Sequence, residues 1–371
     1  MTKVSKIYER SLRLTIGAAM SAAMGLAACT SAAPLTPQAA PASTAASASP
    51  GTRFDLSHWK LTLPYDEDGD GKVDGISTAN LQDFSHGDFF YLDEQGHMVF
   101  TAPNKGATTA NSKNTRSELR QMLRGSDKSI KTSDPRNNFS LASHTNAADF
   151  ASIGGKMEAT LHVDHAPLNS RRPRDSSSYA AVIGQIHGLK YKTGENSLGY
   201  GNEPLKIFYK KWPGHETGSV YWNYERNLER GDPDRKDISY QVWGNSKRDP
   251  SDPGDQGIAL GEDFSYTVNV YEDTMYLVFE SQRLGTVRHQ INLANNIDAN
   301  GKVDEKDSAN GYAEEAHYFK AGVYNQCRAA PKEGEAQGRC GGTGDWAIDK
   351  ANGDYAQVSF SRLVISEADP R

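Results

Sequence analysis

Cysteine is scarce in this chain of 371 residues: three in all, at positions 29, 327 and 340. That excludes a disulfide-dense miniature scaffold and a Cys-rich zinc or iron–sulfur module. Long apolar runs are missing too, since the stretch from Leu14 to Ala28 is shorter than the ~20 residues a membrane-spanning helix needs. No long segment keeps a helical period, which excludes bundles and coiled coils. Positive charge is not in excess, with 41 Lys and Arg against 47 Asp and Glu, and the balance of −6 argues against a nucleic-acid partner. A Glu-x-Asp-x-Glu run is also absent. The acids that a glycoside hydrolase places across the scissile bond therefore lack their usual strand spacing.

What is present begins with an address. Lys3, Lys6, Arg10 and Arg13 precede the apolar run, so residues 1–28 read as a signal peptide. The segment ends in Leu26-Ala27-Ala28-Cys29, which resembles a bacterial lipobox. There Cys29 would be lipidated and become the mature N-terminus, and Thr30 in place of Asp implies sorting to the outer membrane. Cleavage near an Ala-x-Ala site, giving a simply secreted protein, is the other reading. Residues 29–51 are mostly Ala, Ser, Thr and Pro without a charge, a flexible tether, and residues 52–371 form one compositional block read as one domain.

Loss of residues 1–28 removes four basic groups and one acid and leaves a charge of −9. Between His165 and Lys211, however, eight Lys or Arg stand against Asp175, Glu195 and Glu203. Such a basic stripe on an acidic protein can attract a polyanion. In an exported protein Cys327 and Cys340 are expected to form a disulfide, worth roughly 3 kcal/mol in the chain-entropy description, which would pin the chain just after Tyr324.

Short alternating runs separated by Gly, Asn and Asp turns dominate the domain. Met157, Ala159, Leu161 and Val163 alternate with polar partners, 264–270 and 274–279 flank Glu272-Asp273 as a hairpin, and a closing strand starts at Val358. This pattern predicts an antiparallel β-sandwich. Asp66, Asp68, Asp70 and Asp74 sit at calcium-loop spacing with Gly71 at the turn, but Ser77 stands where a bidentate Glu belongs. The segment reads either as a structural calcium loop or as an acidic turn.

Three segments carry the chemistry: Arg116-Ser117-Glu118-Leu119-Arg120, Gln185-Ile186-His187, and Tyr318 through Gln326. Strand alternation puts Arg116, Glu118 and Arg120 on one face, Gln185 and His187 on one face, and Tyr318, Lys320, Tyr324 and Gln326 on one face. Phe319, Ala321 and Val323 form the opposite, apolar face of the third segment. Each segment alone has a bland reading: an ion-pair array, a hydrogen-bonded histidine, a rim tyrosine. Together, and with the opening Trp59-Lys60-Leu61-Thr62-Leu63-Pro64, they resemble the alginate lyases of polysaccharide lyase family 7 from about residue 53 to the C-terminus.

The resemblance implies a β-jelly-roll of two curved antiparallel sheets with an open substrate groove. It implies β-elimination at the 1→4 links of alginate to leave 4,5-unsaturated oligosaccharides, with no organic cofactor. It assigns Arg116, Gln185, His187 and Tyr324 as catalytic, with Glu118, Arg120, Lys320, Tyr318 and Gln326 in support. Donors from Arg116 and Gln185 would mask the uronate carboxylate and stabilise the enediolate. Tyr324 would protonate O4 and, with Lys320 or Arg116 favouring its phenolate, also act as base, while His187 suits proton abstraction. In mannuronate the C5 hydrogen and O4 are syn, so Tyr324 can serve alone; in guluronate they are anti, which would use His187 and Tyr324. Ile186 between Gln185 and His187 goes, within the family, with activity on guluronate-containing blocks.

The run Lys206, Tyr209, Lys210, Lys211 and Trp212 suits further subsites, its lysines meeting carboxylates and its aromatics meeting sugar rings. Phe208 and Trp222 are equally well read as core, and Arg171, Arg172 and Arg174 belong to a loop that would flank the cleft. A monomer is expected, touching membrane only through the lipid. Rival readings are a non-catalytic carbohydrate-binding sandwich, a glycoside hydrolase, and a lyase for another polyuronate such as polyglucuronate.

Overall fold

The computed structural model describes residues 48–70 and 72–371. The signal peptide, Cys29 and most of the tether lie outside the described residues. Packed structure reaches back to Ser49, whose hydroxyl donates to Gln82 O at 2.9 Å, and Pro50–Thr52 forms a buried-edge 3-10 turn. The described residues make one compact unit.

Two antiparallel sheets form the body, the jelly-roll arrangement expected from the sequence. The path of the first runs Asp237–Trp243, Thr217–Glu225, Leu205–Lys210, Ala180–Gly188, His317–Asn325, Arg116–Gln121, Trp59–Thr62 and Gly75–Ile76. The second runs Gly285–Asn292, Thr274–Ser281, Phe264–Tyr271, Gly155–His165, Tyr355–Ser366, Met98–Pro103 and Phe90–Leu92. The predicted hairpin is there, with Glu272 at φ 53 in its turn, and Gly155–His165 alternates buried and half-buried residues along its length. Among the described residues helix is confined to short pieces such as Trp346–Asn352, capped by the Asp345 carboxylate at one end and by Gly353 at φ 72 at the other.

Period-two side chains fill the space between the sheets. Leu119, Ile186, Ile207, Phe319, Ala321 and Val323 from the first sheet meet Leu161, Phe264, Tyr266, Val268, Phe279 and Phe360 from the second, all buried. This burial releases the opposite face of the first sheet for polar residues. Within Ala180–Gly188 the alternation slips: Ile183 and Ile186 face the core, whereas Ala180 and Val182 belong to a small cluster with Phe208 and Tyr221 against which Tyr324 packs. Gly184 sits at the slip, where the Tyr266 hydroxyl crosses from the other sheet to donate to Ile183 O at 3.0 Å. A Cβ on Gly184 would lie 2.6 Å from that oxygen, so only glycine fits. Gly322, at φ 128 and with Ser117 O 2.6 Å from where its Cβ would be, makes the matching irregularity next to Tyr324.

Candidate active site

Pairing of the central strands sets the site. Lys206, Gln185, Lys320, Arg120 and Lys60 are successive cross-strand partners, and Tyr324 pairs with Arg116 as Tyr318 does with His187. Above them opens a cavity of about 440 Å³ lined by Arg116, Arg120, His187, Tyr318, Lys320 and Tyr324 among the predicted residues. The three sequence segments are thus brought to one place.

Glu118 is the electrostatic hub. Only 2% exposed, it accepts from Lys320 Nζ, from the Gln185 amide and from Arg116 at 2.9 Å. Burial alone would raise its carboxyl, but Lys320 and Arg116, with the bonds from Lys320 and Gln185, outweigh it and hold the group below its ordinary value. Lys320 moves the other way: burial, then repulsion from Arg116, brings its ammonium down to about 8 despite Glu118. The contact that settles the carboxylate does not offset the desolvation of the lysine.

The Tyr324 hydroxyl lies 3.0 Å from Ser112 Oγ, its ring 4.0 Å from the Arg116 guanidinium and 5.9 Å from the Lys320 ammonium. His187 stacks on Tyr318 at 5.3 Å with an interplanar angle of 10°. Arg120 also covers the Tyr318 ring, at 4.0 Å, and its guanidinium bonds Asn138 Oδ1 at 2.6 Å and Thr132 O at 3.2 Å. That makes Arg120 a brace for the wall as well as a lining cation. Gln185 is 1% exposed and spends one amide hydrogen on Glu118, while its Oε1 and the Arg116 Nε have no hydrogen-bond partner among the described residues. Ile186 is buried in the core and faces away from the cavity.

Several of the expected subsite residues have other partners in the structure. Tyr209 is fully buried between the sheets, its hydroxyl donating to Ile258 O at 2.9 Å, because it alternates with Phe208 and faces the core. Lys210 is buried and its ammonium donates to Asp175 O, Ser176 O and Lys247 O at 2.9–3.2 Å, a tie between two loops in place of a sugar contact. Trp212 packs on that lysine at 4.2 Å and on Tyr179 at 5.3 Å, and neither it nor Lys211 lines the cavity. Lys206 is engaged by Glu203 at 2.9 Å and Asp237 at 3.0 Å. Gln326 folds back on Tyr324 O at 3.3 Å, outside the cavity lining. Trp222 is core, and Arg171 and Arg172 bond Cys340 O and Glu335 in the loop that the disulfide closes.

Cys327 and Cys340 are bonded, with Cα atoms 5.4 Å apart. Asp66, Asp68 and Asp70 bring ligand oxygens within 4.8 Å of one another. Asp74 is outside that group and accepts the Glu67 N–H at 2.7 Å, and Lys72 pairs with Asp70 at 2.5 Å. Ser77, the odd residue of the calcium reading, caps the Thr78–Leu81 helix by accepting from Asn80 N.

Ten lining residues were not assigned to the site from the sequence, among them Lys60, Ser112, Lys190 and Glu203. Lys60 has no carboxylate partner among the described residues; burial, then Arg120 and Arg124, lower its ammonium to about 8. Its signal was available, since Lys60 and Thr62 alternate with the core residues Trp59 and Leu61. Ser112, Lys190 and Glu203 come from loops, which carry no such periodicity.

Comparison with known proteins agrees with this geometry. The alginate lyase family model described as Alginate_lyase2 matches residues 54–367. An alginate lyase of Klebsiella pneumoniae is 34% identical over 331 residues, covering 86% of this chain and 92% of that protein. A crystal structure of the alginate lyase from that organism superposes with a TM-score of 0.66 at 32% identity, covering 87% of this chain and all of the other. The exolytic family 7 alginate lyase of Zobellia galactanivorans superposes at 0.67 and 32% identity, covering 85% and 97%.

Proposed function

This chain belongs to the alginate lyase family and is a polysaccharide lyase, and from that premise we propose that it opens 1→4 links of alginate by β-elimination at Tyr324. The observation that carries this reading is the setting of Tyr324: a phenol between the Arg116 guanidinium and Ser112 Oγ, at the side of a cavity lined by five Lys or Arg and a single carboxylate, Glu203. Such a cavity favours a chain of carboxylates and disfavours a neutral sugar polymer.

The proton to be removed lies beside a carboxylate that resists further negative charge. Arg116, with Gln185 behind it, neutralises that carboxylate and stabilises the enediolate as it forms. Tyr324 as phenolate takes the C5 proton, the C5–H electron pair becomes the C4=C5 double bond, and O4 departs with the C4–O4 pair and receives a proton. On mannuronate, where both events occur on one face, Tyr324 can perform the two transfers in turn. The Arg116 guanidinium at 4.0 Å and the Lys320 ammonium at 5.9 Å set positive charge beside the Tyr324 ring. The chemistry calls on no organic cofactor.

A lean to guluronate-containing blocks follows from the family association with Ile186; because that side chain is buried in the core, any influence passes through packing of the neighbouring Gln185 and His187. For location we propose an exported protein held to the outer membrane through lipid on Cys29. Digestion of separate polymannuronate, polyguluronate and polyglucuronate pools tests the activity. Ultraviolet absorbance of a conjugated uronate should grow on the two alginate pools and not on polyglucuronate. Saturable binding without any absorbance would mean a carbohydrate-binding sandwich, and absorbance from polyglucuronate alone a different substrate.

A further inference from the structure

Five Lys or Arg line the cavity, and the protein itself engages three of them. Arg116 and Lys320 are held by Glu118, and the Arg120 guanidinium by Asn138 Oδ1 and Thr132 O. Lys60 and Lys190 make no hydrogen bond or ion pair among the described residues. The one carboxylate of the lining, Glu203, pairs with Lys206 at 2.9 Å and with neither of them. The two lysines also stand on opposite flanks of the site. Ala180–Gly188, His317–Asn325, Arg116–Gln121 and Trp59–Thr62 lie side by side in the first sheet, and Tyr324 pairs with Arg116 across the middle two strands. Lys60 is on the outer strand of one side, opposite Arg120, so its Cα is two strand spacings, about 10 Å, from that of Lys320. Lys190 follows the outer strand of the other side. A Cβ on Gly201 would lie 2.5 Å from Lys190 Cγ and 3.2 Å from His187 Cε1, which sets the lysine stem beside the imidazole. Burial, with Arg120 and Arg124 beside it, brings the Lys60 ammonium down to about 8, so at neutral pH it is still charged and lacks a counterion.

We propose that Lys60 and Lys190 are two carboxylate subsites, one on each side of the bond that Tyr324 opens, each completed by a uronate further along the polymer. This rests on the alginate lyase reading and adds a requirement on the substrate. A chain long enough to reach both lysines supplies the two anions that the protein does not provide, and a shorter one meets at most one of them. The internal partners divide the labour. Glu118 fixes Arg116 and Lys320 before substrate arrives, so these two act at the reacting sugar, whereas the unengaged ammonium groups are open to carboxylates on either side of it.

Calorimetric binding of alginate hexasaccharides to the full chain carrying Tyr324→Phe tests the subsites without turnover, and so separates their failure from failure of the lyase reading. Lys60→Met and Lys190→Met, each added to that background at neutral pH, should weaken binding roughly tenfold, the weight of one charged hydrogen bond. Together they should weaken it roughly a hundredfold, because distant sites without a shared partner add. Lys190→Arg, which keeps the charge, should retain the affinity. A carboxyl-reduced hexasaccharide should bind the background, both single variants and the double variant alike. With Tyr324 intact, the two Lys→Met substitutions should move the preferred cut of an end-labelled hexasaccharide toward opposite ends. Unchanged binding in either single variant, the same losses with the carboxyl-reduced sugar, or cuts that stay in place or shift toward one end overturns the proposal. If the Tyr324-intact chain leaves the hexasaccharides uncut while the lysine effects on binding persist, the lyase reading falls and the two anion subsites stand.

Discussion

Glu118→Gln is the perturbation that probes the scaffold under the site most sharply. The substitution preserves size and removes one buried negative charge that faces Lys320, Arg116 and the Gln185 amide. Removing one partner of a buried pair typically costs about 3–5 kcal/mol, because the remaining charge stays desolvated. Here two cations are left, with Arg120 and Lys60 in the same row, so the cost should be no less than about 3 kcal/mol. With a urea slope of roughly 3 kcal/mol/M, the unfolding midpoint should drop by about 1 M. Adding Lys320→Met should recover at least ~1 kcal/mol, since the stranded ammonium goes with it. Because the folded Glu118 titrates below its ordinary value, its contribution is full above the ordinary carboxylate range and is lost as the pH falls through the folded value. The difference between wild type and Glu118→Gln should therefore close in acid. An unchanged midpoint at neutral pH, or a double variant no more stable than the single one, would refute the hub.

Arg116→Lys keeps the charge and loses the planar fork, so kcat/KM should fall by roughly tenfold or more; unchanged kinetics would leave Arg116 only its ion pair with Glu118. Lys60→Met removes an unpaired cation from the cavity wall, and KM for oligouronates should rise roughly tenfold with kcat held, an effect that fades in comparisons above about pH 8, where burial and Arg120 have already discharged the lysine. Cys29→Ser should release the protein from membranes and abolish labelling by a fatty-acid probe while specific activity is retained; a native protein that fractionates as soluble and unlabelled would mean a secreted enzyme.

Much of the fold was legible because period-two burial is written into strands such as Gly155–His165 and Phe264–Tyr271. The site was legible where several polar residues alternate within one short strand, as in Arg116, Glu118 and Arg120. Alternation also separates Tyr209 from Lys206 and Lys210, and treating 206–212 as a single basic and aromatic surface ignored it. Lys206 and Lys210 do share the groove face, yet Glu203, Asp237 and two loops engage them, and no periodicity reports what a loop covers. The phase slip at Gly184 depends on a tyrosine from the opposite sheet, and Glu203 reaches His187 from a loop sixteen residues further along the chain. Both are tertiary facts with no local signature.

The central claim is elimination carried by the Tyr324 hydroxyl. Tyr324→Phe deletes that hydroxyl alone, leaving the ring packed beside Phe208 and under Arg116. Ultraviolet-absorbing uronate should form rapidly from polymannuronate with the wild-type chain. In the variant kcat should fall by roughly 10²–10⁴ while oligouronate binding is retained. Near-wild-type turnover by Tyr324→Phe, or cleavage by the wild type without an absorbing product, would contradict it.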